Sequence, residues 1–568
     1  MTEPANHDRR RRSEALRLNR RRLLVAGGTA AGLALLASCS SSPSSNRKSA
    51  SSGAAGSAAS SGANSAESPK RGGTAVTLYE YDPPSLDAHT GGTSQGLWFN
   101  SSLYNGLARY TWKTPWTIEP DLAKTWEMSP DGLQYTFHLN PGVKWSDGSD
   151  FSSADVAFNL QKVTSASVAP RSAAFALPLA PALDKVATPE PNTLVLQLKA
   201  PFPALLNILA GDAAKIYKQG IYDKDLQEKQ YVGTGPYVLK QYIKGQIIEY
   251  SRNPIYFKQG LPHLDGLKRL YIAAVPAEVS ALSTGQIMVN TLWPGLSPSQ
   301  LKTIQSAAGN KASVQSLPEN SLEKLFVNVT KPPFNDARVR QAVNLAIDRQ
   351  DVLARALEGA GVIGVLDPRE SGDYALPLDA VSKFPGYRQP KDQDYADAKK
   401  LLAAAGHADG LDFDFVVRST ASYVAIAQVA QQSLAKGGLR AKLNQVEASA
   451  GIVLQTQGKF DMGIVGGGSA FNDPFLSLNT QLNSGGGQYS VLNDPNIEGA
   501  VQKGLSTVNP AQRQKLARDI QTYVATKDTA NFPMAWDTAG IVIWNQLKGY
   551  FAPTDMNQGM DFEEPWLA

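Results

Sequence analysis

Apolar residues fall at alternate positions in short runs through the first half of the chain after residue 71. Through the second half they recur every third or fourth position in longer runs. The first spacing predicts strands and the second amphipathic helices. From Ala75 to Tyr79 the alternation gives a strand, which Pro83 and Pro84 stop. Trp126, Met128, Tyr135, Phe137 and Leu139 lie on alternate-residue faces around Pro130, Asp131 and Gly132, the pattern of a hairpin. A helix follows, with Ser152 as N-cap ahead of Val156, Phe158 and Leu160. Strands are predicted over 233–240 and 246–250, ended by Arg252, Asn253 and Pro254.

Leu322 to Thr330 reads as a buried strand, and Val339, Ala342, Val343, Ala346 and Ile347 form a helical stripe after it. Helix, glycine stop and strand then repeat over 395–419 and again over 422–447. This alternation predicts an α/β body with helices packed on sheets. No internal repeat of solenoid type is present.

Length and composition narrow the class. With 568 residues, 42% of them hydrophobic and 19% charged, the chain is neither wholly disordered nor a small disulfide scaffold, and two or three domains are expected. No uninterrupted apolar run reaches the roughly 18 residues of a membrane-spanning helix. The net charge of +4 is misleading, because residues 1–38 carry eight arginines against three acids, leaving the rest slightly negative. A basic arm of this kind also suits nucleic acid, but the residues after it favour another reading.

Leu23 to Ser38 has no charge, directly after the arginine cluster, which is the layout of an export signal. Asn19 to Leu24, with Arg20 and Arg21, fits the twin-arginine type. The apolar stretch ends in Leu36, Ala37, Ser38 and Cys39, the only cysteine of the chain. The tetrapeptide resembles a bacterial lipobox, implying cleavage before Cys39 and acylation of it; the alternative is an incidental cysteine behind an uncleaved anchor. Residues 40–70 are mostly Ser, Ala and Gly, a composition that does not repay its ordering entropy. The expected order is therefore a signal peptide over 1–38, then a lipidated cysteine and flexible tether over 39–70, with a reach of about 30 Å.

Four segments carry a family resemblance, in this order: DGLQYTFHLNPGVKWSDGSDFSSADVAFNL (131–160), VGTGPYVLK (232–240), SRNPIYF (251–257) and PPFNDARVRQAVNLAIDRQ (332–350). In them the chain resembles the family 5 extracellular solute-binding proteins of ATP-binding-cassette importers, the dipeptide, oligopeptide and nickel class. With its leader it resembles actinobacterial-type lipoproteins of that class. The resemblance spans nearly all of residues 71–552. It implies a two-lobed α/β fold like that of the type II periplasmic binding proteins. Lobe I would comprise 71–296 plus 528–568, with an extra subdomain at about 106–229, and lobe II 297–527. Solute would bind in the interlobe cleft, which closes over it. The implied partners are a peptide or related small solute, permease and ATPase subunits, and the membrane through the lipid anchor. Nucleic acid is not among them, and the protein would act as a monomer on the outer face of the cell membrane.

The resemblance also suggests contact residues. Two stretches match the family's cleft walls, His89–Asn100 and Val465–Phe475, which nominates Thr93, Ser94 and Trp98 on one side and Gly467, Gly468, Ser469 and Asp473 on the other. The glycine run 466–468 admits a ligand backbone closely, although a plain turn needs glycine as well. Where peptide-binding relatives place an aspartate for the ligand ammonium, this chain has Ala470, so Asp473 is the nearest acid. Arg418 falls near the family's carboxylate-binding arginine and suits bidentate pairing, yet a strand-end surface charge reads the same. Trp98, Trp293 and Trp536 are equally candidates for a pocket floor and for core packing. Asp348 and Arg349 read as a helix-surface ion pair or a lobe-packing element.

Catalytic patterns are weak. The five histidines have no close metal-binding spacing. Phe471 stands where a nucleophile elbow requires glycine, and Gly233-Thr234-Gly235-Pro236 is too short for a phosphate loop. A receptor without catalysis, cofactor or metal is expected; a secreted hydrolase and a signalling receptor on the same fold are the alternatives.

Overall fold

The computed structural model describes residues 68–568 apart from 84–85, 92–93, 112, 114–116, 166–178, 222–230, 292–294, 469–470, 483–493, 528–529 and 555–557. The predicted leader, Arg20, Arg21, Cys39 and the tether up to residue 67, together with Thr93, Trp293, Ser469 and Ala470, lie outside the described residues.

The strand foreseen at Ala75 runs Thr74–Tyr79 and pairs in parallel with Gly266–Tyr271. Ile247–Arg252 and Tyr237–Ile243 complete this four-stranded sheet. A second four-stranded sheet contains the predicted hairpin, Ala123–Met128 with Gln134–Leu139. Its turn is fixed locally, because Asp131 Oδ1 accepts from Ser129 Oγ at 2.6 Å and from Leu133 N at 3.0 Å. The helix Ser153–Val163 buries Val156, Leu160 and Val163, and Ser152 N donates to Asp155 Oδ2 at 2.9 Å at its start. Both sheets contribute side chains to one core, among them Tyr79, Phe99, Tyr104, Phe137, Leu196 and Tyr250.

The strand predicted from Gly233 starts only at Tyr237. Before it the chain zips against another segment: Gly235 N donates to Leu103 O at 2.9 Å and Tyr237 N to Ser102 O at 3.1 Å. A Cβ on either Gly233 or Gly235 would overlap the Leu103 carbonyl. These glycines therefore serve close backbone approach.

The second core is built on a six-stranded sheet. Its order is Gly361–Val362, Asn531–Trp544, Ala312–Val327, Met462–Val465, Leu411–Arg418 and Leu439–Val446. Leu325, Phe415, Met462 and Phe532 pack with Val339 and Val343 of the helix Ala337–Ala346 and with Ile426 and Ala430 of the helix Ala421–Lys436. A smaller cluster beside it gathers Phe475, Leu478, Val501, Ile520 and Val524. Arg349 belongs to this interior. It is 2% exposed and donates to the carbonyls of Pro533 at 2.6 Å and Gly386 at 2.8 Å, with its guanidinium 3.9 Å from the Tyr387 ring centre. Asp348 does not pair with it on the helix surface but caps the helix Arg349–Arg355 through Asp351 N.

The strand expected at Leu322 is longer than its apolar run, extending from Ala312 to Val327 antiparallel to Asn531–Trp544. Ala312 and Val542 pack with Leu78, Leu301 and Ile304, so the helix Pro298–Ala308 packs with the first body. The other ends of the two strands, at Leu325 and Phe532, lie in the second core. Between them the ladder shifts register from Pro318 to Leu322, opposite Asp537. A bulge of this kind re-aims side chains and bends the strand.

Replacing Gly233 by alanine is expected to destabilise the protein by about 1–3 kcal/mol through forced overpacking against the Leu103 carbonyl. Urea unfolding should show a lower midpoint at an unchanged slope, and an unaltered midpoint would contradict the close-approach account.

Candidate functional site

In open α/β sheets, ligands bind at the carboxyl ends of the strands. Here Leu411–Arg418 runs parallel to Leu439–Val446 and to Met462–Val465. Its carboxyl edge therefore gathers Arg418, the loop 466–468 and the first turn of the helix Ala421–Lys436. The bulge in the long strand pair adds Glu319, Glu323 and Asp537 from the other side of the sheet.

The glycine run is held by its backbone. Gly466 N donates to Tyr423 Oη at 2.8 Å, and Gly467 O accepts from Leu322 N at 3.1 Å and Gln481 Nε2 at 2.5 Å. A Cβ at Gly466 would collide with the Glu323 carboxylate, whereas one at Gly467 would meet nothing within 4 Å. Gly466 is thus required by packing, and Gly467 faces open space.

Glu323 and Asp537 hydrogen-bond to each other through their carboxyl groups, an arrangement that needs a shared proton. Burial pushes the Glu323 carboxyl well above its ordinary range, Asp537 and Glu319 add to the push, and Arg418 opposes it. Burial likewise raises Asp537 to about 7 against the hydrogen bond from Glu323 and the charge of Arg369. The Arg418 guanidinium stands 5.0 Å from the Tyr423 ring centre. Next along the strand, Lys324 is pushed down to about 7 by burial and donates to Gln481 O at 2.9 Å and Gln481 Oε1 at 2.8 Å.

The structure brings together part of the predicted set. Arg418, Gly467 and Gly468 share this edge. Asp473 stands at the start of the helix Pro474–Leu482, where Oδ1 accepts from Phe475 N at 2.9 Å and Leu476 N at 3.2 Å. Its Oδ2 is 2.6 Å from Arg513 Nη2, with both side chains almost fully buried. An ammonium approaching Asp473 would have to compete with Arg513. Trp536 and Trp98 line separate small cavities, the former with Phe471 and Asp473, the latter with Asn290, Ile541 and Tyr550. Trp98 O accepts from Arg269 Nη1 at 2.5 Å, and the Trp536 ring is buried. Ser94 opens the helix Ser94–Ser101.

Sequence reasoning missed Glu319, Glu323, Tyr423 and Asp537. For Glu323 a signal existed: a charge inside a run read as a buried strand. Nothing in the linear sequence connects it to Asp537.

A larger polar cavity, about 50 Å3, lies in the first body instead and is lined by Tyr104, Asp121, Asp212, Lys215, Gln558 and Glu563. It has room for a few waters. Its acids are largely paired, Asp212 with Lys215 at 2.8 Å and Asp121 with Lys258 at 2.8 Å, and Lys258 also reaches Glu563 at 3.2 Å. This network fastens the segment 558–564 to the first core. Among the described residues no group of three or more His, Cys, Asp or Glu could hold a metal, and no helix is long and apolar enough to cross a membrane.

Residues 117–489 match the bacterial extracellular solute-binding proteins, family 5. Heme-binding protein A of Haemophilus influenzae is 28% identical over 496 residues, 80% of this chain and 86% of that protein. The glutathione-binding protein GsiB of Salmonella paratyphi A is 26% identical over 491 residues, 81% of this chain and 90% of that one. Among solved structures, the periplasmic binding protein DppA of Helicobacter pylori in complex with the peptide STSA has a TM-score of 0.73 at 23% identity, covering 88% of this chain and 98% of that one. OppA of Haemophilus influenzae in complex with RPPGFSPFR gives 0.73 at 20% identity, covering 88% and 99%. These two share the two-lobed α/β fold with this chain.

The shared proton has a measurable signature. Both carboxyl groups have folded-state pKa values above their unfolded ones, so the folded chain binds the extra proton between about pH 4 and the Asp537 value near 7. Their contribution to stability is fully present below that window and is lost as pH rises through it. The unfolding free energy of Glu323→Gln is expected to fall less between about pH 5 and 8 than that of the unchanged chain; identical slopes would contradict proton sharing.

Proposed function

The chain belongs to the family 5 bacterial extracellular solute-binding proteins, and we propose that it is the lipid-anchored receptor of an ATP-binding-cassette importer. In this reading it acts as a monomer, captures a peptide or related solute between its two cores, and passes it unaltered to a membrane permease driven by an ATPase. Family 5 members are transport receptors rather than enzymes. What supports the reading is the sheet edge, the candidate crevice, where Arg418, the open backbone at Gly467 and the carboxyl pair Glu323–Asp537 lie together beside the strand crossing. It offers a cationic group, a backbone-pairing edge and an acidic group within one edge of the sheet, the set that an extended polar solute requires.

Arg418 would take a carboxylate of the solute, helped by the amino end of the helix Ala421–Lys436. The ammonium partner customary in peptide-binding relatives is replaced by Ala470, and Asp473 is engaged by Arg513. Solutes without a free amino terminus in that position therefore suit the crevice better than simple dipeptides. The known relatives' range, heme and glutathione in their names, is consistent with such breadth.

In this reading the lobes meet near 318–322 and 535–539. Pro298–Ala308 then belongs to the first lobe with Leu78 and Val542, and the separate sheet over 123–198 is the extra subdomain. Cys39 carries the acyl chains, the leader with Arg20 and Arg21 directs export by the twin-arginine route, and residues 40–70 tether the body, as in actinobacterial lipoproteins. Several acyl chains at about 0.8 kcal/mol per buried methylene hold a protein on a bilayer durably.

Native mass spectrometry of the protein purified from its own host should reveal a bound, chemically intact solute; a cleaved one would overturn the receptor reading. With that solute, if it bears a carboxylate, calorimetry of Arg418→Ala is expected to show a loss of about 1.5–3 kcal/mol, and equal affinity would remove Arg418 from the site. Cys39→Ala is expected to move the protein from the membrane fraction to the medium or to halt its processing, and Arg20→Lys with Arg21→Lys to block export. Unchanged fractionation of either variant would refute the corresponding anchor or route.

A further inference from the structure

The chain leaves the glycine run and reaches Phe471 and Asn472, which cross to the first body. Phe471 is 4% exposed and buried in the first core, the cluster that holds Leu205, Ile208 and Leu209. Its ring lies so close to Gly211 that a Cβ there would stand 3.0 Å from Phe471 Cε1. Gly211 has an ordinary φ of −73°, so the tight contact a side chain would make there is with the Phe471 ring and, at 3.3 Å, the Ile208 carbonyl rather than a matter of backbone conformation. A polar triangle closes beside the ring. Asn207 Nδ2 donates to Asn472 O at 2.7 Å, Asn472 N donates to Tyr110 Oη at 3.4 Å, and Tyr110 Oη donates to Asn207 O at 2.9 Å.

The same segment is rigidly tied to its own side. Asp473, the next residue, caps the helix Pro474–Leu482 and pairs with Arg513, which also donates to Gly504 O at 3.1 Å. Phe471 and Asn472 are therefore not a flap on a loose loop. A force on them is passed to the second body.

We propose that Phe471 and Asn472 form a solute-independent latch that docks on Gly211, Asn207 and Tyr110 and holds the second body against the first. This deepens the receptor reading above and rests on it. The chemical consequence is a division of labour. Part of the free energy of closing comes from contact between the two bodies, so a solute need supply only the remainder. A crevice already populated in its closed form binds every solute more tightly by the same factor, which favours acceptance of varied side chains over selection among them. Phe471 and Asn472 act here as positioning residues and need not touch the solute.

The test uses the mature chain stripped of any co-purified solute by unfolding and refolding, its emptiness checked by native mass spectrometry. Cys39 is replaced by serine, and spin labels are placed at Lys144→Cys and Lys400→Cys, exposed positions of the first and second bodies. Pulsed electron resonance then reads the open and closed distances. The unchanged latch should give a substantial closed population. Phe471→Ala and Gly211→Ala should each shift the ratio toward open by about tenfold or more, given the burial of a phenylalanine ring. Gly211→Ala combined with Phe471→Leu should recover the closed distance, because the smaller side chain makes room for the new methyl. Asn207→Ala tests the polar half should Gly211→Ala disturb folding, as judged by circular dichroism. A solute-free chain that is wholly open, or a Phe471→Ala distribution identical to that of the unchanged latch, would overturn the proposal. Failure of the receptor reading looks different: distances that respond to Phe471→Ala, with no peptide of a panel and no solute from the host binding at all.

Discussion

The antiparallel pair Ala312–Val327 and Asn531–Trp544 is the constraint on which the rest of the molecule depends. Each strand starts in one hydrophobic core and ends in the other, so a single hydrogen-bonded ladder serves both bodies. Such a ladder is stiff except where it is interrupted. Two interruptions occur, one between Pro318 and Leu322, where proline supplies no amide donor and the register slips, and one between Glu323 and Lys324. Glu319, Glu323 and Asp537 lie at these interruptions.

Two groups of buried charge in the second body show how differently such groups are handled. Arg349 finds backbone carbonyls from three separate segments, at Pro533, Gly386 and Asn344, and lies flat on Tyr387. It is a fully satisfied charge that fixes chain segments in place. Glu323 and Asp537 instead lean on each other and are held toward the protonated state by burial, each leaving one buried carboxyl oxygen without a partner, with Arg418 pulling against that on Glu323. Their protonation depends on what charge arrives nearby, which is a property suited to a crevice and poorly suited to a scaffold.

The polar cavity of the first body belongs with Arg349. Its basic residues bridge acids within and between segments: Arg109 pairs with Glu119 across its own hairpin at 2.7 Å and with Asp561 at 3.4 Å, and Lys258 joins Asp121 to Glu563. It thereby binds the end of the chain to the β-hairpin at 108–120. Cavity size alone thus points away from the crevice, whereas strand topology points to it.

The sequence by itself determined most local elements and the family. Period-two and period-four spacing is a property of neighbouring residues, which is why the hairpin at 126–139, the capped helix after Ser152 and the helix–glycine–strand units after 395 could be read directly. It also marked Arg418 and the glycine run as candidates. What it could not supply was the meeting of Glu323 with Asp537, of Asp473 with Arg513, or of Phe471 with Gly211, since each joins positions far apart in the chain. The first is set by the register of the long strand pair and its bulge at Pro318–Leu322, where a shift of one residue would turn every side chain to the opposite face; the other two are set by how helices and the first core pack. Only the folded structure decided that Asp473 is held by Arg513 and that Glu323 stands at the crevice, because burial and partner choice belong to the packed molecule rather than to any stretch of its sequence.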